Sequence, residues 1–379
     1  MKQPPRPPRP QSATRAFARA SGAPAGDATA RRGQAPRFER PDAFAAARRE
    51  DSPGGEPIIR EDEMDNELGV KKIGVVGCGV IGMSWTAYFL AKGFSVRATD
   101  PNPAAEARTR EYVDNAWPLL ERMGAAPGGK DRLFFSTDLI EAMDGVDFVQ
   151  ENGPERIDLK RTLFRDIANA IEPRVIVASS SSGIPVSDFQ GASVHPERIV
   201  LGHPFNPPHV LPLVEVAGGK LTSPDVVDAT VRFYARIGKK PVRMNREMKG
   251  HIANRIQAAV MREVLYLLAQ DVASVEDLDI AIAHGPGMRW AILGQFLNAD
   301  QGGGEGGIRH MMEHLGPAME GWWADLGRNE HIAAEDIGLM ERGVAKILER
   351  HDRAAIASAR DSVLAQILQA KAAEDRLPY

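Results

Sequence analysis

Short apolar segments alternate with helix-like segments between about residue 71 and residue 243. Each short segment is bounded by charge, glycine or proline, which is typical of buried strands. The pattern predicts strands at residues 73–76, 95–99, 133–136, 148–150, 175–178, 199–201, 213–216 and 241–243, with the last at an edge. It predicts helices at residues 80–92, directly after Asp138, at 159–171 and at 224–237. This alternation indicates an α/β fold with a doubly wound, mostly parallel sheet.

The pattern changes to helices alone after Gly250. A stripe of apolar residues at helical spacing predicts a buried face: Ile252, Ile256, Ala259, Val260, Val264, Leu267 and Leu268. Further helices are predicted at residues 276–284, 310–314, 334–349 and 354–373, and the glycines between 302 and 307 predict a loop. We therefore expect an all-α C-terminal domain for substrate binding and dimerisation at residues 247–379, after an α/β domain at residues 67–246.

Residues 1–66 differ in composition from the rest, because they are rich in Pro, Arg, Ala and Gly and poor in large aliphatic side chains. Such a segment buries too little apolar surface to offset its ordering entropy, so the sequence predicts a disordered tail. A flexible extension, an Arg-rich transit-type peptide and an over-long gene model all fit this composition. Met64 stands close to the first strand and would suit the last alternative.

A glycine-rich turn joins the first predicted strand to the first predicted helix. Gly77, Gly79 and Gly82 have the G-x-G-x-x-G spacing, in which the glycines permit a tight turn, a close approach of pyrophosphate and close helix–strand packing. The helix N-terminus, with Val80 and Ile81, offers free N–H groups to phosphate oxygens. Asp100 ends the next strand, 18 residues beyond Gly82, and suits a ribose 2′-hydroxyl. The sequence therefore predicts a Rossmann-type domain that binds NAD rather than NADP.

Composition narrows the class of protein. The formal net charge of −4 gives no reason to expect a nucleic-acid partner, and no apolar run approaches the roughly 18 residues that span a bilayer. One cysteine, Cys78, excludes an internal disulfide framework and fits a reducing compartment, so we expect a cytoplasmic protein without membrane association. The histidines show no metal-ligand spacing, and we expect no metal site.

A histidine and a glutamate are the candidates for acid–base chemistry. His203 follows a predicted strand in a proline-stiffened segment, and Glu215 lies twelve residues on in an otherwise apolar strand. A carboxylate there is costly unless it is paired, and a histidine would be its natural partner. The carboxylate would orient the ring and leave the other nitrogen as a general base. A structural role for His203 and the rival base His209 remain alternatives.

These motifs resemble the 3-hydroxyacyl-CoA dehydrogenase superfamily over about residues 71–350. The H-x-F-N-P segment of that family and its later glutamate match residues 203–207 and 215, and its serine, glutamate–lysine pair and asparagine match Ser181, Glu155, Lys160 and Asn254. The resemblance implies a His203–Glu215 catalytic dyad. It implies that Ser181 and Asn254 contact the substrate hydroxyl. It also implies cofactor contacts from Glu155, Lys160, Ser181 and Asn206.

The helical region is similar to the small-substrate branch of this superfamily, namely L-carnitine dehydrogenases and lambda-crystallin-type L-gulonate 3-dehydrogenases. The segments at residues 285–297 and 302–323 carry this similarity, the second being closer to the carnitine enzymes. Residues 104–129 hold three arginines and no lysine, which weakens a CoA-binding interpretation. The expected reaction is NAD-dependent oxidation of a small 3-hydroxy acid, L-carnitine above the others, by a homodimer. A non-catalytic, crystallin-like dinucleotide-binding protein is the alternative of another class.

Five residues are candidates for carnitine recognition. An aromatic box would suit the trimethylammonium group, and a guanidinium would suit the carboxylate. The candidates are Arg289, Trp290, Phe296, Trp322 and Trp323. The aromatic residues could equally belong to the core of the helical domain or to a dimer interface, and the arginine to a structural ion pair.

Overall fold

The computed structural model describes residues 69–378. The strands in this part of the chain are β1 (Lys72–Val76), β2 (Ser95–Thr99), β3 (Leu133–Ser136), β4 (Phe148–Glu151), β5 (Ile176–Ser179), β6 (Ile199–Pro204), β7 (Leu213–Gly218) and β8 (Lys240–Arg243). The helices are α1 (Val80–Ala91), α2 (Ala104–Arg122), α3 (Leu139–Met143), α4 (Ile157–Ala170), α5 (Pro224–Arg236), α6 (Ala253–Ala269), α7 (Val275–His284), α8 (Pro286–Trp290), α9 (Gln295–Gly302), α10 (Gly307–Asp325), α11 (Ala334–Leu348) and α12 (Arg353–Ala372). The predicted disorder of residues 1–66 lies outside the described residues.

The eight strands form one sheet in the order β3-β2-β1-β4-β5-β6-β7-β8. All neighbouring pairs are parallel except β6 and β7, which are antiparallel. The chain crosses from β3 back past β1 to β4, so the strand order reverses there. Ligands of such sheets bind at the carboxyl ends of the strands beside this reversal. The predicted Rossmann-type α/β fold, followed by a helical region, is confirmed.

The core packs on both faces of the sheet, because the strands are buried on both sides. On one face, α1 contributes Trp85 and Phe89, whose rings stack 4.9 Å apart. On the same face, Phe148 of β4 stacks on Phe233 of α5 at 4.2 Å. The fully buried pair Phe164 and Phe189 fills part of the other face. These rigid layers fix where each strand ends, and so fix the positions of the polar residues that follow the strands.

Three features of the structure differ from the sequence predictions. Strand β6 runs to Pro204 rather than stopping at residue 201, because its pairing with β7 continues through His203. The glycine-rich segment at residues 302–307 is not an open loop, since it continues as the end of α9, a short 3₁₀ turn and the start of α10. The predicted stripe on α6 is not buried within the single chain, where Ile252 and Ile256 are exposed and only Leu265 is buried.

The helices after Gly250 bury little of their apolar surface against the rest of residues 69–378. Phe296, Trp322 and Trp323 are 80%, 55% and 61% exposed. Large apolar side chains that are exposed in this way mark an interaction site where they form a continuous patch. Within residues 69–378, no helix combines the length and apolar character that crossing a membrane requires.

Candidate active site

The glycine turn after β1 has the shape that a dinucleotide requires. Gly77 has a φ of +89°, which favours glycine, and its N–H donates to Thr99 O at 2.8 Å. A Cβ on Gly82 would lie 1.8 Å from Gly77 O, so only glycine fits between helix and turn. A Cβ on Gly79 would meet nothing within 4 Å, which leaves the backbone at the start of α1 open to a pyrophosphate. Val80, in the first turn of α1, is exposed on this side.

Asp100 stands directly after β2, beside this turn. One of its oxygens accepts the Cys78 N–H at 2.9 Å and the other accepts the Asn102 N–H at 3.0 Å. These bonds hold the carboxylate still and leave further lone pairs for ribose hydroxyls. The turn, the open helix end and the oriented carboxylate together fit the adenosine and pyrophosphate portions of NAD.

The predicted histidine and glutamate are paired across neighbouring strands. His203 of β6 is the register partner of Glu215 of β7, and Nδ1 lies 2.9 Å from Glu215 Oε2. The other oxygen, Oε1, accepts the N–H groups of Ile252 and Ala253 at 2.7 and 2.9 Å. Burial opposes ionisation of Glu215, but these three hydrogen bonds outweigh it and hold the pKa of the carboxyl below its usual value.

The ionisation of the Glu215 carboxyl determines which nitrogen of the His203 ring carries the hydrogen. An ionised Glu215 can only accept, so His203 Nδ1 carries a hydrogen and Nε2 of the neutral ring keeps a free lone pair. His203 also lines a cavity at the carboxyl ends of the strands. The arrangement can therefore take a proton from a ligand in that cavity.

The cavity has a volume of about 480 Å³, which is in the range of small-molecule sites. Its wall contains five predicted site residues, at positions 81, 155, 203, 206 and 254. The complete lining is Ile81, Asn152, Gly153, Glu155, Ser180, Ser182, His203, Pro204, Phe205, Asn206, Asn254 and Gln257. The start of α1, the ends of β4, β5 and β6 and the start of α6 thus meet at one place.

The structure places Ser181, predicted to contact the substrate hydroxyl, outside the cavity wall. Ser181 is fully buried, and its hydroxyl lies 2.7 Å from Glu155 Oε1 and 2.9 Å from Ile184 O. Its neighbours Ser180 and Ser182 line the cavity instead, and Asn254 Nδ2 donates to Ser182 O at 3.2 Å. Four consecutive serines occupy positions 179–182, and no spacing signal shows which of them faces inward.

Of the two residues predicted to contact the cofactor as a glutamate–lysine pair, Glu155 lines the cavity and Lys160 does not. Lys160 is 1% exposed, and its Nζ donates to Glu151 at 2.9 and 3.1 Å rather than to Glu155. Lys160 Nζ also lies 3.4 Å from the carbonyl oxygen of Gly153, a residue of the cavity wall, so the buried lysine supports the wall from behind. Glu151 was missed because it reads as the last residue of an apolar strand, although a buried carboxylate at a strand end requires a cation nearby.

Glu155 keeps a place in the cavity wall. Its Oε1 accepts from the Ser181 hydroxyl and from the N–H groups of Gly183 and Ile184 at 2.9 and 3.0 Å. Burial opposes its charge, but these bonds hold the pKa of Glu155 below its usual value. Among the described residues, Glu155 is the cavity's one carboxylate, and it is ionised at neutral pH.

Two further histidines, His209 and His251, are buried in the structure. The rival base His209 is buried, its Nδ1 lies 2.8 Å from the Ser84 hydroxyl, and burial lowers its pKa to about 4. It does not line the cavity. His251 was not predicted. Its ring centre is 4.9 Å from that of His203, and its Nε2 donates to Ser181 O at 2.8 Å. The backbone φ of His251 is +50°, which is rare outside glycine. No residue pattern in the sequence indicates this conformation.

The five predicted carnitine-contact residues do not reach this cavity within the described chain. Arg289 and Trp290 lie on α8, and Trp290 Nε1 donates to Gln295 at 2.7 Å. Phe296 lies on α9, and the two remaining tryptophans lie on the exposed surface of α10. Within the described chain, α8–α10 pack on one another and on α7 rather than over β6, so the contact of these residues with carnitine stays a prediction.

Comparison with known proteins agrees with this site. Residues 72–248 match the 3-hydroxyacyl-CoA dehydrogenase NAD-binding domain, and residues 250–336 match the C-terminal domain of the same family. An L-carnitine dehydrogenase of Streptomyces coelicolor is 42% identical over 302 residues, covering 77% of this chain and 95% of the relative. An L-carnitine dehydrogenase of Bacillus cereus is 46% identical over 258 residues, covering 68% of this chain and 79% of the relative.

A solved structure is similar over most of the described chain. This structure, 5-formyl-3-hydroxy-2-methylpyridine 4-carboxylic acid 5-dehydrogenase, is described as an NAD⁺-dependent dismutase. It is 28% identical with a TM-score of 0.70, and the match covers 81% of this chain and 100% of that one. The predicted family, the NAD cofactor and the enzyme class are confirmed by these matches. The chain belongs to the 3-hydroxyacyl-CoA dehydrogenase family of NAD-dependent enzymes that oxidise CH–OH groups.

Proposed function

We propose that this enzyme oxidises L-carnitine to 3-dehydrocarnitine, with His203 as the general base. The names of the relatives that are 42–46% identical support the substrate. The paired geometry of His203 and Glu215 in the cavity wall supports the role of the base.

The residues of the cavity divide the chemical work. His203 Nε2 accepts the hydrogen of the substrate hydroxyl, and Glu215 stabilises the positive ring that results. The Asn254 side chain and the segment around Ser182 lie beside His203 and would hold the substrate oxygen. When bound, NAD supplies the acceptor for the hydride of the substrate carbon. Ile81, in the first turn of α1, and Asn206, after β6, both line the cavity and would position the cofactor.

The charge of the cavity favours carnitine over an acyl-CoA, and this observation carries the proposal. The wall contains four amide side chains and one ionised carboxylate, Glu155, but no lysine or arginine. A cavity of about 480 Å³ with an ionised carboxylate in its wall suits a small molecule with a quaternary ammonium group. It offers no counter-charge for the phosphates of CoA, in agreement with the absence of lysine from residues 104–129.

The test is a substrate panel with NAD, followed by NADH absorbance at pH 7 and 9. The panel contains L-carnitine, D-carnitine, L-gulonate, 3-hydroxybutyryl-CoA and 3-hydroxy-5,5-dimethylhexanoate, the isostere in which carbon replaces the carnitine nitrogen. We expect the highest kcat/KM for L-carnitine, about 10- to 100-fold above the isostere, whose tert-butyl group lacks the positive charge that would pair with Glu155. We expect Glu155→Gln to reduce this ratio at saturating NAD.

The other outcomes are equally informative. Equal turnover of carnitine and its isostere would remove the charge argument. Preference for L-gulonate or for the CoA ester would replace the proposed substrate. Tight NAD binding without turnover of any compound would favour a non-catalytic, crystallin-like role, which the buried His203–Glu215 pair argues against because a scaffold gains nothing from it.

We also propose that the enzyme is a homodimer that uses the exposed apolar surface of the helices after Gly250. Phe296, Trp322 and Trp323 lie on this surface, and a second copy would bury them. Arg289 and the aromatic residues on α8–α10 remain candidates for substrate contact only across such an interface. Sedimentation equilibrium tests the dimer. A cytoplasmic location rests on the single cysteine alone and is tested by fractionation.

A further inference from the structure

A chain of hydrogen bonds runs from the core under α5 to the cavity wall. It begins at the hydroxyl of Tyr234, which donates to Gln150 Oε1 at 2.5 Å. Both side chains are fully buried, at 0% exposed. The chain continues through Ser180 to Asn152, and these last two residues line the cavity. A buried tyrosine and glutamine of this kind have no part in the proton transfer at His203.

Main-chain carbonyl groups, which can only accept, fix the donor and the acceptor of each hydrogen bond in this series. Gln150 Nε2 donates to Gly202 O at 3.2 Å, so the other hydrogen of the same nitrogen points to Ser180 Oγ, 2.8 Å away. Asn152 Nδ2 donates to Gln150 O at 3.0 Å, so its Oδ1 faces Ser180 and accepts the serine hydrogen at 2.7 Å.

The consequence is that Ser180 can only accept from a ligand. Its hydrogen is committed to Asn152 and one lone pair is committed to Gln150, which leaves one lone pair for the cavity. A serine hydroxyl normally rotates to suit either a donor or an acceptor. The ligand group that meets Ser180 must therefore carry an N–H or O–H.

The sheet order indicates which ligand this is. Asp100 follows β2 on one side of β1, and Ser180 follows β5 on the other side. A dinucleotide with its adenosine at Asp100 and its pyrophosphate at the glycine turn extends towards β4 and β5, and its nicotinamide end then lies near His203. The one hydroxyl hydrogen of carnitine is taken by His203, and its trimethylammonium group has no N–H. The carboxamide NH₂ of the nicotinamide is the donor that remains on the reacting ring.

We propose that Ser180 Oγ accepts a hydrogen bond from the nicotinamide carboxamide and thereby fixes which face of the ring meets the substrate. Gln150 and Tyr234 are positioning residues that hold Ser180 in its accepting state. The inference depends on NAD binding at this cavity and not on the identity of the substrate, so a failure of the carnitine proposal would leave it standing.

The experiment compares binding of NAD and of 3-acetylpyridine adenine dinucleotide by calorimetry in the absence of substrate. The analogue keeps both riboses but carries a ketone in place of the carboxamide and so has no N–H to donate. Ser180→Ala should raise the Kd for NAD about three- to ten-fold, the scale of one neutral hydrogen bond, and change the Kd for the analogue by less than about two-fold. Ser180→Cys, which keeps the size with a poor acceptor, should show the same pattern.

The control is Ser223→Ala, at the start of α5, where the side chain makes no capping bond. It should change neither Kd. An equal loss for both dinucleotides would overturn the proposal, since Ser180 would then act through a ribose hydroxyl or through the fold. Unchanged binding of both would overturn it as well, because Ser180 would then contact no part of the cofactor.

Discussion

Replacing Glu215 by glutamine tests whether the carboxylate sets the tautomer of the base. The N–H groups of Ile252 and Ala253 both point at Glu215 Oε1, so the oxygen of a glutamine side chain will occupy that position. Its NH₂ then faces His203 Nδ1, at the place where Oε2 now accepts. Two donors cannot face each other, and the ring must move its hydrogen to Nε2. The variant would keep the shape of the site and lose the free lone pair that takes the substrate proton.

The size of the effect follows from this tautomer change. A carboxylate-to-amide exchange that leaves geometry intact but fixes the wrong tautomer lowers kcat by about 10⁴ in a well-studied triad. We expect kcat of Glu215→Gln to fall by about 10³ to 10⁴. The Kd for NAD should stay within about two-fold, and stability should change little because both backbone N–H groups keep their acceptor.

The measurements are steady-state NADH formation, calorimetric NAD binding and ¹⁵N chemical shifts of the His203 ring. Glu172→Gln, an exposed carboxylate that pairs with Arg174, is the matched control and should behave as wild type. A kcat within ten-fold of wild type, or a ring that keeps its hydrogen on Nδ1, would refute the reasoning. The dyad would then be structural rather than catalytic.

Three other outcomes follow from the structure. Gly82→Ala should abolish NAD binding in calorimetry, because the added Cβ would lie 1.8 Å from Gly77 O; retained binding would contradict the tight packing. Asp100→Ala should lower the preference for NAD over NADP about ten-fold or more in competition binding, the scale of a hydrogen bond to a charged group. For His209, burial lowers the pKa from 6.5 to about 4. Between these two pH values the ring binds a proton in the unfolded chain but stays neutral in the folded chain. The free energy of unfolding should therefore fall by about 3 kcal/mol from pH 6.5 to pH 4, and denaturant titrations of His209→Asn should lack that part of the fall.

The pairing of His203 with Glu215 was predictable because its signals are local. A proline-stiffened histidine and a carboxylate in an apolar strand each require a partner, and the spacing of twelve residues allows an antiparallel strand pair. Residue type and spacing could not indicate that Ser181 and Lys160 lie outside the cavity wall, because that depends on the direction in which each side chain points. Ser180, Ser181 and Ser182 have the same chemistry, and only the path of the chain after β5 decides which of them faces the cavity. The sequence offers Lys160 two nearby carboxylates, Glu151 and Glu155, and in the structure its ammonium group pairs with the fully buried Glu151.

The sequence by itself determined the alternating strands and helices, the glycine turn, Asp100 and the family, because each depends on residue type and short spacing. Only the tertiary structure decided that Glu215 also accepts two N–H groups from the start of α6. Only the tertiary structure decided that Tyr234, through Gln150, fixes the direction of the hydroxyl hydrogen of Ser180, 54 positions away. These contacts join segments far apart in the chain. The packing of these segments determines which group donates and which accepts, and a local pattern of residues does not contain that information.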